Sequence, residues 1–148
     1  MARQRKSNLL EQVYRFLAFR PRSEREVEDY LVRKKSGVDE RVKILKRLKQ
    51  GNFLNDEEFA KWFVDQRARL KPEGRWALKQ ELGRKGVKRE IVERVLQEVD
   101  EVVEARKVVE KKKLAPGKMI ALLARRGFSW ETIRVVQQQW LGQEVDQW

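Results

Sequence analysis

The sequence predicts an all-α protein built from three tandem three-helix repeats. Three observations carry that expectation. Apolar residues recur at helical spacing in every long segment, and the two-residue alternation of a half-buried strand never persists. A corner made of two basic residues, a glycine and an apolar residue occurs three times: Lys34–Lys35 before Gly37–Val38, Arg84–Val87, and Arg125–Phe128. Each corner is preceded by two apolar-periodic stretches and followed by a third, so one plan repeats along the 148 residues. Such units bury their apolar faces against sequence neighbours, which predicts an elongated molecule.

Residues 1–8, MARQRKSN, read as a basic tail ahead of the first helical signal. The first repeat covers 9–54. Leu10, Val13 and Leu17 form one stripe of its first helix. Ser23 followed by Glu26 fits a capping box for the second, because each side chain reaches a backbone donor the helix leaves unpaired. Aligning the corners on their glycines gives this corner two extra residues before Gly37, with Val38, Val42 and Leu45 continuing the apolar theme.

The second repeat covers 55–99. Asn55 or Asp56 can cap its first helix, whose apolar side is Phe59, Trp62 or Phe63, and Leu70. Leu78 and Leu82 then precede Gly86 by eight and four residues, and Ile91, Val95 and Val99 follow it. The third repeat covers 100–142, with Val102, Ala105 and Val109 on its first helix. Met119 and Leu123 again stand eight and four residues before Gly127, and residues 143–148 read as a C-terminal tail. Basic residues suit a helix C-terminus, and glycine accepts the left-handed backbone found there, so glycines 37, 86 and 127 read as structural bends.

Composition narrows the function. The chain has no cysteine and no histidine, which removes disulfides, thiolate nucleophiles, imidazole bases and the usual zinc ligands. No apolar run approaches the ~18 residues of a membrane span, and no apolar region backs the charges of the first residues as a secretory signal requires. The cytoplasm is the expected location. Net charge is +12, with 15 basic and 7 acidic residues in 1–54. Such an excess favours an anionic partner.

The stretch LGRKGVKREIV, residues 82–92, resembles the bend before a DNA-recognition helix. The helix after it offers a poor base-reading set, since Lys88, Arg89 and Arg94 are offset by Glu90 and Glu93. Three copies of the corner also argue for a bend rather than one specialised reader. Cations cluster instead in two strips: Arg67, Arg69, Lys71, Arg75, Lys79, Arg84 and Lys85, then Lys111, Lys112, Lys113 and Lys118. Either strip can clasp phosphate or pair with a protein carboxylate. Trp62 and Trp76 flank the first strip, Trp130 and Trp140 belong to the last helix, and Trp148 has no periodic support. Tryptophan beside arginine can stack on a base, but in a small helical protein it is more often packing mass. Asp56, Glu57 and Glu58 adjoin, and a first-turn acidic cluster is explained by the helix dipole. No catalytic residue, metal or cofactor is expected.

The segment FLNDEEFAKWFVDQRARLKPEGRWALKQELGRKGV, residues 53–87, resembles the central signature of the RecX regulatory proteins. The matching elements are the aromatic–Leu–x–Asp–Glu–x–Phe–Ala opening at 53–60, Phe63–Val64, Arg67, and Leu82 with Lys85–Gly86–Val87. FRPRSEREVEDYL at 19–31 and LLARRGFSWETI at 122–133 resemble the family's first and closing repeats, so the likeness covers about 20–142. It implies a curved array of three-helix repeats that lies in the groove of the RecA–single-stranded DNA filament. It further implies inhibition of the ATPase, strand-exchange and coprotease activities. A monomer without catalysis of its own is expected. Carried over by position, Arg67, Arg75, Lys79, Arg84 and Lys85 become candidates for the surface facing protein or DNA, while Phe59, Phe63, Leu78, Leu82, Gly86 and Val87 hold the repeat together. The alternative from a different class is a non-specific DNA-binding helical protein acting without RecA.

Overall fold

The computed structural model describes the backbone of residues 2–146 and the side chains of residues 8–140. Among the described residues all regular structure is helical: α1 (Ala2–Phe19), α2 (Glu24–Arg33), α3 (Val38–Gln50), α4 (Asp56–Leu70), α5 (Arg75–Arg84), α6 (Arg89–Leu96), α7 (Glu101–Lys112), α8 (Pro116–Arg125) and α9 (Trp130–Asp146). The helices follow the three triplets read from the sequence. α1 and α9 also take in positions 2–8 and 143–146, where tails were expected. No proline or glycine interrupts residues 2–8, so nothing local stops the helix there. Trp148 lies outside the described residues.

Local chemistry sets the helix starts. Ser23 and Glu26 form the full capping box of α2. Asn55 rather than Asp56 caps α4, its side-chain oxygen accepting from the backbone N–H of Glu57 and Glu58 at 3.0 and 3.2 Å. Asp100 does the same for α7, accepting from Val102 and Val103 at 3.1 and 3.3 Å.

The three corners share one geometry, but the first is not the one expected. Four residues separate α2 from α3, α5 from α6, and α8 from α9 alike. The N–H of Ser36, Val87 and Phe128 donates to the carbonyl of Leu31, Leu82 and Leu123, at 3.2, 3.1 and 3.2 Å. This backward bond closes a helix through one left-handed residue. That residue is Gly86 (φ +78°) and Gly127 (φ +81°) in the later corners. In the first it is Lys35, at φ +60°, whereas Gly37 has φ −74° and opens α3. The first corner therefore carries no insertion. Val27 and Leu31 stand eight and four residues before Lys35, as Leu78 and Leu82 do before Gly86.

The register correction carries through α3. Val38 and Val42, expected to be apolar contacts, are 65% and 58% exposed, while Ile44 and Leu48 are buried. Ile44 now matches Val95 and Val136, which are both buried. Further along, the buried face of α6 is Val92, Val95 and Leu96 rather than Ile91, Val95 and Val99, and α7 buries Val108 beside Ala105. Leu70, at the last turn of α4, is 71% exposed.

Two compact units are present: residues 1–62 with 82–92, and residues 63–81 with 93–148. They cut across the second triplet. The first unit has a core of Val13, Val27, Leu31, Ile44, Leu48 and Leu54. The second packs Ala105, Val108, Met119, Leu123, Phe128, Ile133 and Val136. Each unit also docks the start of one triplet's second helix on the corner of the next triplet. In the first unit the Ser23 hydroxyl donates to the Lys85 carbonyl at 2.7 Å, and a Cβ added at Gly86 would meet the Arg25 stem at 2.6 Å. In the second the Gly74 N–H donates to the Arg126 carbonyl at 2.8 Å. There a Cβ on Gly74 would lie 2.2 Å from the Gly127 carbonyl oxygen, and one on Gly127 would lie 2.6 Å from Ala77.

These contacts separate the glycines by consequence. Gly74→Ala should lower stability by about 3 kcal/mol, because its new Cβ meets rigid backbone rather than a side chain that can move. Gly83 lies inside α5 with nothing near its missing Cβ, so Gly83→Ala should raise stability by about 1 kcal/mol through helix propensity. Chemical unfolding of the two variants checks the pair, and equal effects would contradict the close approach at Gly74.

Candidate partner-binding surface

Two carboxylates gather helix starts. Asp56 and Glu101 each directly follow a capping residue, and each accepts a backbone N–H from the opening residue of the preceding triplet's second helix. Glu24 donates to Asp56 Oδ1 at 2.8 Å, and Arg75 donates to Glu101 Oε2 at 2.9 Å. Glu101 Oε1 also accepts from the Ser129 N–H at 3.0 Å and the Thr132 hydroxyl at 2.9 Å. The starts of α5, α7 and α9 thus converge on one buried carboxylate, where negative charge suits the positive end of each helix dipole. Burial pushes the Glu101 carboxyl up, but the Ser129 and Arg75 N–H groups and the two hydroxyls outweigh it and leave the pKa below the usual range. Asp56, with its single N–H donor, stays raised by burial.

The cations singled out in the sequence divide into structural and outward-facing groups. Arg67 Nε lies 3.0 Å from Glu81 Oε2 and 3.7 Å from Glu73 Oε1, and its guanidinium sits 5.0 Å from the centre of the Phe63 ring. Glu73 is buried, and burial with the neighbouring Glu81 raises its carboxyl against the pull of Arg67. Arg75 donates from Nε to the Leu96 carbonyl at 3.1 Å and from Nη2 to the Val99 carbonyl, closing the C-terminal end of α6 and the turn after it. Lys85 reaches Glu26 at 3.4 Å, and Arg69 pairs with Asp65 at 3.2 Å on the exposed side of α4. Lys71, Lys79, Arg84, Lys111, Lys112, Lys113 and Lys118 are exposed and form no ion pair among the described residues. The central strip is therefore not one continuous basic surface. Arg75 and Lys79 share a side by spacing, yet only Lys79 presents its charge to solvent unpaired.

The tryptophans divide as well. Trp62 is half-buried, 6.0 Å from Phe59 by ring centres, with the Arg20 guanidinium 5.5 Å from its ring centre. Trp76 and Trp130 are 66% and 60% exposed, so they are not packing mass. Asp56, Glu57 and Glu58 do not form a metal site: among the described residues no group of three metal-ligating side chains is gathered. Sequence reading passed over Glu101. Its signal was the recurrence of Asn55–Asp56 as Asp100–Glu101 at the same place in the next triplet.

Comparison with known proteins matches two three-helix domains. Residues 10–48 match the family model described as RecX, first three-helix domain, and residues 55–96 match RecX, second three-helix domain. The chain is 34% identical over 148 residues to the Regulatory protein RecX of Chlorobaculum tepidum, covering 95% of this chain and 92% of that one. It is 31% identical over 134 residues to the Regulatory protein RecX of Streptococcus equi subsp. zooepidemicus, covering 84% of this chain and 52% of the relative. It thus spans nearly all of one relative and about half the length of the other. The fold is also that of the crystal structure of RecX from Lactobacillus salivarius, with a TM-score of 0.80 at 22% identity over 94% of this chain and 97% of that one.

Two measurements test these assignments. Arg75→Ala should cost about 1 kcal/mol through its lost carbonyl contacts, while Lys79→Ala should leave stability unchanged. Thermal unfolding distinguishes them, and equal midpoints would return Arg75 to the outward-facing group. Because the Glu101 pKa is depressed in the fold, its stabilisation is present above the ordinary carboxyl pKa and lost as pH falls through the folded value. Glu101→Gln should destabilise the protein near neutral pH and flatten its loss of stability on acidification. An acid-unfolding curve parallel to that of the parent would contradict the role given to this carboxylate.

Proposed function

The chain belongs to the RecX family, a family of regulatory proteins, and on that premise we propose that it regulates the RecA recombinase by binding RecA or its filament on single-stranded DNA. The regulation is inhibitory: contact with the filament restrains ATP hydrolysis, strand exchange and coprotease action without a reaction catalysed by the chain itself. The observation that carries this reading is the match of two successive three-helix domains, in order, to the family models.

The surface supports it physically. Unpaired Lys71, Lys79, Lys111, Lys112, Lys113 and Lys118 lie on or just beyond α4, α5, α7 and α8. Several weak electrostatic contacts, made together, hold a repeating partner more firmly than any one of them. No described helix is long and apolar enough to cross a membrane, and we assign the protein to the cytoplasm, as a monomer, where it meets filaments on DNA. The charge of +12 favours a second reading, non-specific DNA binding without RecA.

A single experiment separates the two. Substoichiometric protein is added to preformed RecA filaments, and ATP hydrolysis is followed as bare single-stranded DNA is added in increasing excess. Filament binding predicts inhibition that falls far less than the excess of bare strand would dictate. A competitor for DNA loses its effect in proportion to the excess, and that result would replace the first reading by the second.

A further inference from the structure

Trp76 and Trp130 are 66% and 60% exposed, an unusual state for the largest apolar side chain. The fold brings the backbones just before them together. Trp76 directly follows Arg75 and Trp130 directly follows Ser129, and the N–H groups of those two residues donate to the two oxygens of Glu101 at 2.9 and 3.0 Å. The backbones bearing the indoles therefore start side by side, held by one buried carboxylate. The contact between Gly74 and Gly127 next to them, where a Cβ would lie at 2.2 Å from backbone, fixes the same two segments from the other side.

The surroundings indicate what the indoles meet. Lys79 stands one turn beyond Trp76 and Arg134 one turn beyond Trp130, both exposed and outside any ion pair among the described residues. The exposed positions of α5 are Arg75, Trp76, Lys79, Gln80, Gly83 and Arg84, with no carboxylate among them. On α9, Glu131 is exposed beside Trp130, and Asp100 is exposed directly before Glu101. Flat apolar faces flanked by cations suit a polyanion that carries flat apolar groups. A duplex hides the faces of its bases in the stack, whereas a single strand presents them.

We propose that Trp76 and Trp130 form a stacking platform for the bases of single-stranded nucleic acid, with Lys79 and Arg134 meeting the adjacent phosphates. The platform deepens the reading above by naming the strand, not RecA protein, as what this surface touches, and it rests on that reading only for its setting in the cell. Stacking needs no hydrogen bond to a base edge, so the contact is tolerant of sequence. The matching positions of the first unit are Arg25 and Arg89, which carry no ring, so the platform belongs to the second unit alone.

The test uses the full chain and fluorescein-labelled oligo(dT) at low salt, without RecA, read by anisotropy. The variant Trp76→Ala/Trp130→Ala should bind oligo(dT) at least about tenfold more weakly than the parent. Trp76→Phe/Trp130→Phe should recover most of the loss, since phenyl rings also stack. An abasic strand of equal length should bind parent and alanine variant alike, because it has phosphates and no bases. Equal oligo(dT) affinity for parent and alanine variant, with helical content intact by circular dichroism, would overturn the platform. Should the alanine variant lose helical content, the phenylalanine variant against Trp76→Lys/Trp130→Lys, both in oligo(dT) and abasic strand, decides instead. Loss of RecA inhibition with unchanged oligo(dT) affinity assigns the indoles to protein and also overturns it. A parent chain that binds oligo(dT) through the indoles but leaves RecA ATPase untouched supports the platform while removing the proposed function.

Discussion

The contact that organises this molecule is a helix start received at a left-handed corner. At Gly127 the start of α5 comes so near that neither Gly74 nor Gly127 has room for a methyl group. At Gly86 the start of α2 approaches in the same manner, through Ser23 and the stem of Arg25. A helix start can approach this closely only because its unpaired N–H groups find acceptors there. The Arg126 carbonyl accepts one from Gly74 and the carboxylates of Asp56 and Glu101 accept others, while the Lys85 carbonyl takes the Ser23 hydroxyl. Removing side chains at the glycines and supplying acceptors beside them are two halves of one requirement. The compact units follow from it: each consists of a terminal triplet joined to the part of the second triplet that this contact recruits.

Charge is divided accordingly. In a chain with this many cations, a count of lysines and arginines overstates the surface available to a partner. Arg75 closes the end of α6, Arg67 holds two carboxyls together, and Lys85 lies against Glu26. Arginine dominates these structural places because its planar fork satisfies several acceptors at once, while lysine, a point charge on a flexible stem, dominates the outward set. The acidic residues show the same division. Glu26 would be raised by burial, yet Arg20, the Ser23 N–H and Lys85 together bring it below the usual range. Glu73 remains raised, since Glu81 adds to its burial and Arg67 is shared.

Much of the fold was legible in the sequence because helical periodicity and corner chemistry are local. The capping box at Ser23, the all-helical class and the apolar pairs before Gly86 and Gly127 follow from spacing alone. The first corner is not marked by its glycine; the spacing of Val27 and Leu31 points to Lys35 instead. Taking the glycine as the marker shifts the apolar face of α3 by two residues and puts Val38 and Val42 inside. Leu70 and the seam of α6 were misread for another reason: which face of a short helix is covered depends on neighbours distant in sequence. The candidate surface was less legible still. Whether an arginine faces out or folds back onto a carbonyl, as Arg75 does, depends on the path of a helix more than twenty residues away. The exposure of Trp76 and Trp130 is likewise tertiary, since periodicity places tryptophan on a helix but does not say which face a neighbour covers.

Lys35 has a consequence for how such a chain can evolve. At the position where the later corners carry glycine, it holds the left-handed conformation with a full side chain attached. The conformation itself is tolerable, at about 1 kcal/mol, but the Cβ occupies the space into which a helix start is received at Gly86 and Gly127. A duplicate of the first triplet, spliced in behind another, would arrive with that space already filled. The triplets are therefore not interchangeable parts. Gene rearrangement could lengthen the array with copies of the middle triplet, whereas the first triplet would have to exchange one lysine for glycine before it could be reused elsewhere.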